Sequence, residues 1–388
     1  MTKTFDVAII GGGVIGASIA LELAGQKLRV VVVLDRQQAG QEASWAAAGM
    51  LSPAPDSPRD LPLVPLGRES LKLYPEFVAK VEEASGQPTG YAREGTLEIF
   101  LAPAGEAERD RRVSECKGLG LAMEAVPLDA ARELEQSMGP AARAAAWLPE
   151  EGTVEPRALT DSVLAAAHQR GVELRPDCAV TGLLRERDRC IGVVADGGKV
   201  GAGNVVMAAG CFSGAIAGDD GLLALYAPTR PVRGQMLALR CNGAGLRRVL
   251  RSERGYLVPR GDGRIVAGST SEEAGFEKRV TPGGMRHVLD AALELFPGLA
   301  GAEIVETWSG LRPGTPDDLP ILGPTDIEGL LIATGHYRNG ILLAPVTAKL
   351  MREWIVDGRT SFDARAFSPL RFSSGRSIDS PRSMSRGM

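Results

Sequence analysis

The sequence has few of the residues that build disulfide frameworks and metal centres, and no long hydrophobic run. It carries 5 cysteines and 3 histidines in 388 residues, all scattered, without a C-x-x-C pair. This favours reduced thiols and does not suggest a metal site. No apolar run reaches the about 18 residues of a membrane-spanning helix, and the N-terminus lacks the basic start of a signal peptide. We therefore expect a soluble cytoplasmic protein.

Strong net charge is also missing. The formal net charge is −4, and no basic tail or stripe is dense enough for nucleic acid. The most cationic stretch, residues 240–264, is interpreted as a solvated surface rather than as a site for an anionic partner. The composition, 44% hydrophobic and 24% charged, is that of a globular protein. Nucleic acids and membranes are therefore not expected partners.

A βαβ pattern occupies the N-terminus. An apolar run over Phe5–Ile10 predicts a strand, Ala17–Ala24 a helix, and the β-branched run Arg29–Leu34 a second strand that ends on Asp35. Between the first strand and the helix stands a G-x-G-x-x-G motif. A motif of this kind is weak evidence alone, but here strand, helix and acid all fall in register.

The motif residues have separate physical tasks in binding a dinucleotide. Gly11 permits the tight turn, Gly13 lets the backbone approach a pyrophosphate, and Gly16 lets helix and strand pack closely. The helix N-terminus offers N–H groups to the phosphates, and Asp35 is placed to bind ribose hydroxyls. The motif leaves NAD and FAD both open.

The nucleotide-binding pattern returns late in the chain, with β-rich sequence between. We predict an α/β fold with a discontinuous Rossmann-like FAD-binding domain and an inserted α+β substrate domain. The predicted FAD-binding domain comprises residues 1–85, 150–222 and 308–366, the substrate domain 86–149 and 223–307, and a disordered, Ser/Arg-rich tail 367–388. NAD dehydrogenases more often keep their nucleotide domain contiguous, so the interruption favours FAD.

Several short segments resemble a known family. They are Ala46–Leu51, Pro231–Gly234, Gly255–Arg260, Thr307–Asp317 and Gly335–Pro345. These segments resemble the FAD-dependent amine and amino-acid oxidase family, and within it the glycine oxidase branch, which supplies the imine of glycine for the thiazole ring of thiamine. The likeness runs from about Phe5 to about Val356. It implies a large antiparallel sheet in the substrate domain, a homo-oligomer, commonly a homotetramer, and a hand-off of the imine to a thiazole synthase.

The resemblance also implies a set of cofactor-binding positions. A flavin becomes anionic when reduced, and a helix that begins near Gly340 would aim its free N–H groups at that charge. The predicted FAD-binding residues beyond the motif glycines are Val14, Ile15, Asp35, Arg36, Ala43, Ser44, Ala48, Gly49, Met50, Val180, His336, Tyr337, Arg338, Asn339, Gly340, Ile341 and Leu342. Attachment should be non-covalent, because the sarcosine-oxidase branch uses a late cysteine and none follows Cys241 here.

Three side chains match substrate-binding positions of the family. Arg312 matches the arginine that holds the substrate carboxylate, Tyr256 a tyrosine that bonds the same group, and Arg338 a second active-site arginine. A guanidinium suits a carboxylate because it binds both oxygens at once. An isolated arginine or tyrosine is usually a surface or half-buried residue, and only the motifs around these three favour a site.

The function implied is oxidation of glycine and other small amines or D-amino acids by dioxygen, with hydride leaving Cα for flavin N5. The products are an imine, then glyoxylate and ammonia, and hydrogen peroxide. No side-chain base is required if the amine binds unprotonated. A D-amino-acid dehydrogenase or sarcosine-type oxidase on the same fold, with quinone as a rival acceptor, stays open, as does a non-catalytic nucleotide-binding sensor.

Overall fold

The computed structural model describes residues 4–26, 28, 31–216, 221–241 and 245–372. The predicted tail falls outside the described residues from residue 373 onward. Its first residues, 367–372, are described and form short 3₁₀ turns in which Phe367 is buried. The prediction of a disordered tail is therefore wrong for 367–372, because Phe367 packs into the core beside the helices.

The secondary structure alternates between helices and strands along most of the chain. The helices are α1 (Val14–Ala24), α2 (Ala43–Ala46), α3 (Leu63–Ser85), α4 (Gly105–Gly118), α5 (Leu128–Leu134), α6 (Pro156–Gln169), α7 (Leu222–Tyr226), α8 (Pro282–Leu295) and α9 (Gly340–Arg352). The strands are β1 (Thr4–Ile10), β2 (Val31–Leu34), β3 (Met50–Leu51), β4 (Thr96–Phe100), β5 (Glu124–Val126), β6 (Ala144–Leu148), β7 (Gly152–Thr153), β8 (Glu173–Arg175), β9 (Val180–Glu186), β10 (Arg189–Ala195), β11 (Gly198–Met207), β12 (Arg230–Arg240), β13 (Val249–Ser252), β14 (Gly255–Pro259), β15 (Arg264–Gly268), β16 (Glu303–Gly314), β17 (Ile321–Pro324) and β18 (Leu330–Thr334).

The first sheet has the order β17-β18-β11-β1-β2-β8. Its centre is parallel, β17 is antiparallel to β18, and the hairpin β9–β10 pairs with the first half of β11. Alternate residues of β1 enter different cores, as expected for a strand buried on both faces. Val7 and Ile9 pack with α1, α3, α6 and α9, whereas Ala8 and Ile10 pack on the opposite face. The predicted βαβ unit is confirmed.

The second sheet has the order β16-β12-β15-β14-β13-β4-β6-β5. Its neighbours are antiparallel except for β13 and β4, which run parallel. Together the two sheets confirm the predicted α/β class with a large, mostly antiparallel second sheet. Strand β16 crosses the predicted domain boundary at 307/308 and pairs with β12 along its length. The division into two domains stays a prediction.

Helix α3 begins earlier than predicted. The prolines around 53–65 predicted an irregular segment, with the helix starting near Glu69, but the helix begins at Leu63 and includes Pro65 and Pro75. Pro65 lies in the first turn, where a missing N–H costs nothing because that group has no partner within the helix. At the other end of the chain, α9 continues into one π-helical turn over Glu353–Asp357 instead of running unbroken to Val356.

Candidate active site

A large cavity lies where the carboxyl ends of β1 and β18 meet the second sheet. Its volume is about 1290 Å³, and its lining comes from both sheets, from the N-termini of α1 and α9, and from the segment around α2. Ligand pockets of drug-sized molecules are usually about 300–1,000 Å³. The cavity is therefore large enough for a dinucleotide together with a small substrate.

Two glycine positions at the β1–α1 turn leave no room for a side chain. Gly11 has φ +102°, and a Cβ there would lie 2.5 Å from the carbonyl oxygen of Ala208. A Cβ on Gly16 would lie 1.9 Å from the carbonyl oxygen of Gly11, which explains why the helix and the turn can pack so closely. The N–H of Val14 donates to the Ser44 hydroxyl at 2.9 Å, which holds α2 against this turn.

Asp35 ends β2 beside the same turn. One carboxylate oxygen accepts from the N–H of Gly12 at 2.8 Å and the other from the N–H of Gln37 at 3.1 Å. Burial raises the pKa of Asp35, although these two backbone bonds oppose the shift. The neighbouring Arg36 pairs with Glu42 and lies over the Phe212 ring, 3.6 Å from its centroid.

A second helix points its N-terminus into the cavity. The first residues of α9, Gly340, Ile341 and Leu342, line the cavity, and no side chain caps the helix. Their N–H groups therefore have no partner within the helix. His336 precedes this turn and is 3% exposed, with Nε2 3.0 Å from the Thr347 hydroxyl oxygen. Burial lowers the pKa of His336 to about 3, so its imidazole is neutral near pH 7.

Arg312 extends from β16 into the cavity. Its guanidinium donates to the Ser269 hydroxyl at 2.6 Å and to the Thr270 carbonyl at 3.1 Å. A Cβ on Gly234 would lie 2.4 Å from both terminal nitrogens, so the glycine gives the guanidinium room. Within the described part of the chain no carboxylate lies in ion-pair distance of Arg312. The charge is thus available for an anionic ligand.

Tyr256 and Arg338 line the same cavity as Arg312. Tyr256 lies opposite Gly268 in the β14–β15 pair, where a Cβ would clash with the phenol oxygen at 2.6 Å. Among described residues, the polar neighbour of its hydroxyl is the Met236 sulfur at 4.0 Å. Arg338 is about half exposed and pairs with Asp56 at 3.3 Å, so it stands at the rim with its charge already matched.

The predicted cofactor residues meet in this cavity although they are far apart in sequence. All of them line it except Gly16, which packs beneath the Gly11 turn. Their individual roles stay predictions. The fit to FAD rests on two helix N-termini at the cavity, that of α1 for the pyrophosphate and that of α9 for a flavin that gains negative charge. It rests also on the glycine turn, which a Cβ would fill.

Comparison with known proteins decides the family. The model of the DAO family, FAD dependent oxidoreductase, matches residues 6–354. The chain belongs to this DAO family. FAD, predicted above from the interrupted nucleotide domain, is the cofactor of the family and is confirmed.

Several DAO-family relatives cover nearly the whole chain. A glycine oxidase of Pseudomonas putida is 33% identical over 94% of this chain and 98% of its own. The bifunctional protein ThiO/ThiG of Synechocystis sp. is 37% identical over 96% of this chain but 55% of its own, so the chain spans about half that relative's length. The crystal structure of glycine oxidase from Geobacillus kaustophilus superposes with a TM-score of 0.90, at 32% identity over 95% of this chain and 99% of that one.

Sequence reasoning missed several residues of this DAO-family cavity. Ser269 and Thr270 orient Arg312, but their sequence neighbourhood carries no motif that would show it. The arginine-rich stretch was expected to be a solvated surface, which is wrong for Arg251, buried at 9% exposure, and for Arg260, whose side chain is 5% exposed. Arg251 lines the cavity and pairs with Glu98, while Arg260 donates to the Ala48 carbonyl at 2.6 Å.

No helix in the described ranges combines the length and the apolar character needed to cross a membrane.

Proposed function

We propose that this DAO-family chain is an FAD-dependent oxidase of glycine and other small amino acids. The observation that carries the proposal is Arg312, a guanidinium without a carboxylate partner among described residues, in the same cavity as the N-termini of α1 and α9. A site of this kind holds a small carboxylate next to a dinucleotide. Several relatives that match over nearly the whole chain are glycine oxidases, which supports the proposal.

In the proposed reaction the side chains of the cavity hold the substrate in one orientation. Arg312 binds the substrate carboxylate through two N–H groups, and the Tyr256 hydroxyl donates to the same carboxylate. Two contacts on one end of the molecule fix the direction of Cα, and such positioning is a large part of catalysis. FAD, when bound, supplies the two-electron acceptor for the Cα hydrogen. The imine product then hydrolyses to glyoxylate and ammonia, and dioxygen is reduced to hydrogen peroxide.

Further proposals concern the setting of the reaction. The ThiO/ThiG relatives support a role in which the imine passes to a thiazole synthase. A homo-oligomer, commonly a tetramer in the family, and a cytoplasmic location are proposed on the resemblance alone. Cofactor attachment is proposed to be non-covalent on the same resemblance, since no cysteine follows Cys241 at the late position that the sarcosine-oxidase branch uses.

The test is oxygen uptake and peroxide formation by purified protein with glycine, sarcosine and D-alanine. We expect a yellow protein that releases FAD rather than FMN in acid and forms peroxide with glycine. Turnover with quinones but without peroxide would favour a D-amino-acid dehydrogenase. A flavoprotein with no turnover on any of the three would overturn the proposed oxidase and favour a sensor.

A further inference from the structure

A cluster of buried and half-buried polar and charged side chains lies beside Tyr256 and has no part in the proposed binding of the substrate carboxylate. Its members are Ser52, Glu98, Arg112, Glu151 and Arg251. All except Glu151 line the cavity, and Glu151 lies directly behind Ser52. Buried charges are costly unless they are paired, so a cluster of this kind at a cavity wall calls for a functional explanation.

Strand pairing brings Ser52 and Glu151 together. Leu51 of β3 pairs with Gly152 of β7 in antiparallel register, so the next residue after Leu51 faces the one before Gly152. The Ser52 hydroxyl donates to one oxygen of the Glu151 carboxylate. The result is a hydroxyl on the cavity wall with a buried carboxylate behind it.

Arg251 ties this pair to the substrate side of the cavity. In the second sheet Arg251 lies opposite Tyr256 on one side and opposite Glu98 on the other. Its guanidinium pairs with Glu98 and donates to the Ser52 oxygen at 2.8 Å. Ser52 is thereby held close to the wall that carries Tyr256, and Arg251 is a positioning residue.

The hydrogen bonds leave Ser52 one free acceptor position. A hydroxyl has one proton to donate and can accept two hydrogen bonds. Ser52 donates to Glu151 and accepts one bond from Arg251, so one lone pair remains for a ligand in the cavity. An N–H group of a bound ammonium would satisfy it.

Glu151 is able to take up a proton. It is 3% exposed, and its second oxygen accepts no hydrogen bond from a described residue. The groups that face it are the Ser52 and Thr96 hydroxyls, the Arg251 guanidinium at 3.7 Å and the more distant Glu98 carboxylate, itself paired with Arg112. Burial raises the pKa of Glu151, although the Arg251 charge opposes this.

We propose that Ser52 and Glu151 form a proton relay that removes the ammonium proton of the bound amino acid. The proposal rests on the proposed oxidase function, because an amino acid is an ammonium near pH 7 and its nitrogen lone pair is needed to form the imine. The Ser52 oxygen accepts the ammonium proton while its own proton passes to Glu151. The amine becomes neutral, the serine is unchanged, and the carboxylate becomes a carboxylic acid that later loses its proton to water.

The pH dependence of kcat/KM for glycine tests the relay with Ser52→Ala and Glu151→Gln. We expect kcat/KM to fall by about 100-fold near pH 7, within the usual range for loss of a general base. Near pH 10, where a substantial fraction of an aliphatic amine is neutral without help, both variants should come much closer to the wild-type value. Ser52→Thr keeps the hydroxyl and should retain the wild-type profile.

Thr96→Val is the matched control, because it removes the other hydroxyl that faces Glu151 without altering the cavity lining. Its effect on kcat/KM should be small, and the pH profile should move slightly upward, because the lost Thr96 bond had lowered the pKa of Glu151. If Ser52→Ala and Glu151→Gln lower kcat/KM by one constant factor from pH 7 to pH 10, the two residues merely shape the cavity and the relay is wrong.

An infrared difference spectrum on binding of 2-aminoisobutyrate, which has no Cα hydrogen to lose, gives a readout without turnover. The relay predicts a new carboxylic-acid band that Glu151→Gln abolishes. Absence of this band in the wild type would overturn the relay. A wild type that oxidises no amino acid would overturn the proposed function instead, and the infrared result would still decide the relay.

Discussion

Within the described residues, the guanidinium of Arg312 donates only to neutral oxygens, the Ser269 hydroxyl and the Thr270 carbonyl. These two bonds fix its direction without cancelling its charge. Arg338 differs, because Asp56 already matches its charge at the cavity rim. The two arginines therefore make distinct predictions for substrate binding.

Arg312→Ala should lower kcat/KM for glycine by about 30-fold to several-thousand-fold, because losing one partner of a charge pair costs about 2–5 kcal/mol and each decade corresponds to about 1.4 kcal/mol. Arg312→Lys should recover part of the lost kcat/KM, since an ammonium keeps the charge but cannot bind both carboxylate oxygens in the planar geometry of a guanidinium. The measurement is oxygen uptake together with flavin absorbance. If Arg312→Ala keeps a near-native kcat/KM, another residue binds the substrate carboxylate, and Arg338→Ala is the next variant to test.

His336 makes the protein sensitive to acid. Burial lowers its pKa from 6.5 to about 3, so between these values the unfolded chain binds a proton that the folded chain does not. The stability that the neutral His336 contributes is therefore fully present above pH 6.5 and is lost as the pH falls toward 3. Over this range the free energy of unfolding falls by up to about 1.4 kcal/mol per pH unit.

Urea unfolding at pH 7 and pH 5 measures this effect of His336. Between pH 7 and pH 5, the free energy of unfolding of His336→Gln should fall by about 2 kcal/mol less than that of the wild type. His168→Gln, on the exposed side of α6, is the control and should follow the wild type. An equal loss in His336→Gln and the wild type would show that other groups govern the acid sensitivity.

At the scale of elements, the β1–α1 turn is the part of the site that the sequence predicted best. Its strand, glycines and helix are local, and the spacing from Gly11 to Asp35 carries the information. The Ser52–Glu151 pair could not be predicted in this way. Its members are 99 residues apart and meet only because two very short strands, β3 and β7, pair. Each strand has only two residues, too few to show the alternation of apolar and polar residues that predicts a strand.

Gly11→Ala should weaken FAD binding by about 5- to 150-fold, since a strained backbone costs about 1–3 kcal/mol. The new Cβ would meet the Ala208 carbonyl oxygen at 2.5 Å on a backbone with positive φ. Gly25→Ala, at the other end of α1, has its nearest atom at 3.6 Å and should bind FAD as the wild type does. Flavin fluorescence during reconstitution of the apoprotein measures both. Equal affinities would mean that the turn tolerates a side chain.

At the scale of the whole molecule, Arg157 joins α6 and α2 to the second sheet beside the cavity. It extends from α6, stacks on Trp45 at 3.6 Å from the ring centroid and forms a two-bond pair with Glu306 of β16. Trp308, also on β16, lies edge-on to Trp45 and donates to the Ala46 carbonyl at 3.1 Å. These contacts hold α2, which lines the cavity, against the second sheet.

Arg157→Ala should lower the melting temperature by about 1–4 °C, because a partly exposed cation–π contact with an ion pair contributes about 1 kcal/mol. Arg365→Ala is the control. It breaks a comparable two-bond pair with Asp363 that is fully exposed, and it should leave the melting temperature unchanged. Calorimetry compares the two variants, and equal shifts would contradict a role for Arg157 in joining α6 and α2 to the second sheet.

Strand β16 carries the contact to α2 and the substrate arginine on one continuous ladder with β12. Because side chains alternate along a strand, a single inserted or deleted residue between Trp308 and Arg312 would turn the guanidinium away from the cavity. This short interval should therefore keep its length in this protein's descendants, and so should the Ser269–Thr270 segment that orients the guanidinium. The register of β16 thus restricts where insertions and deletions are tolerated.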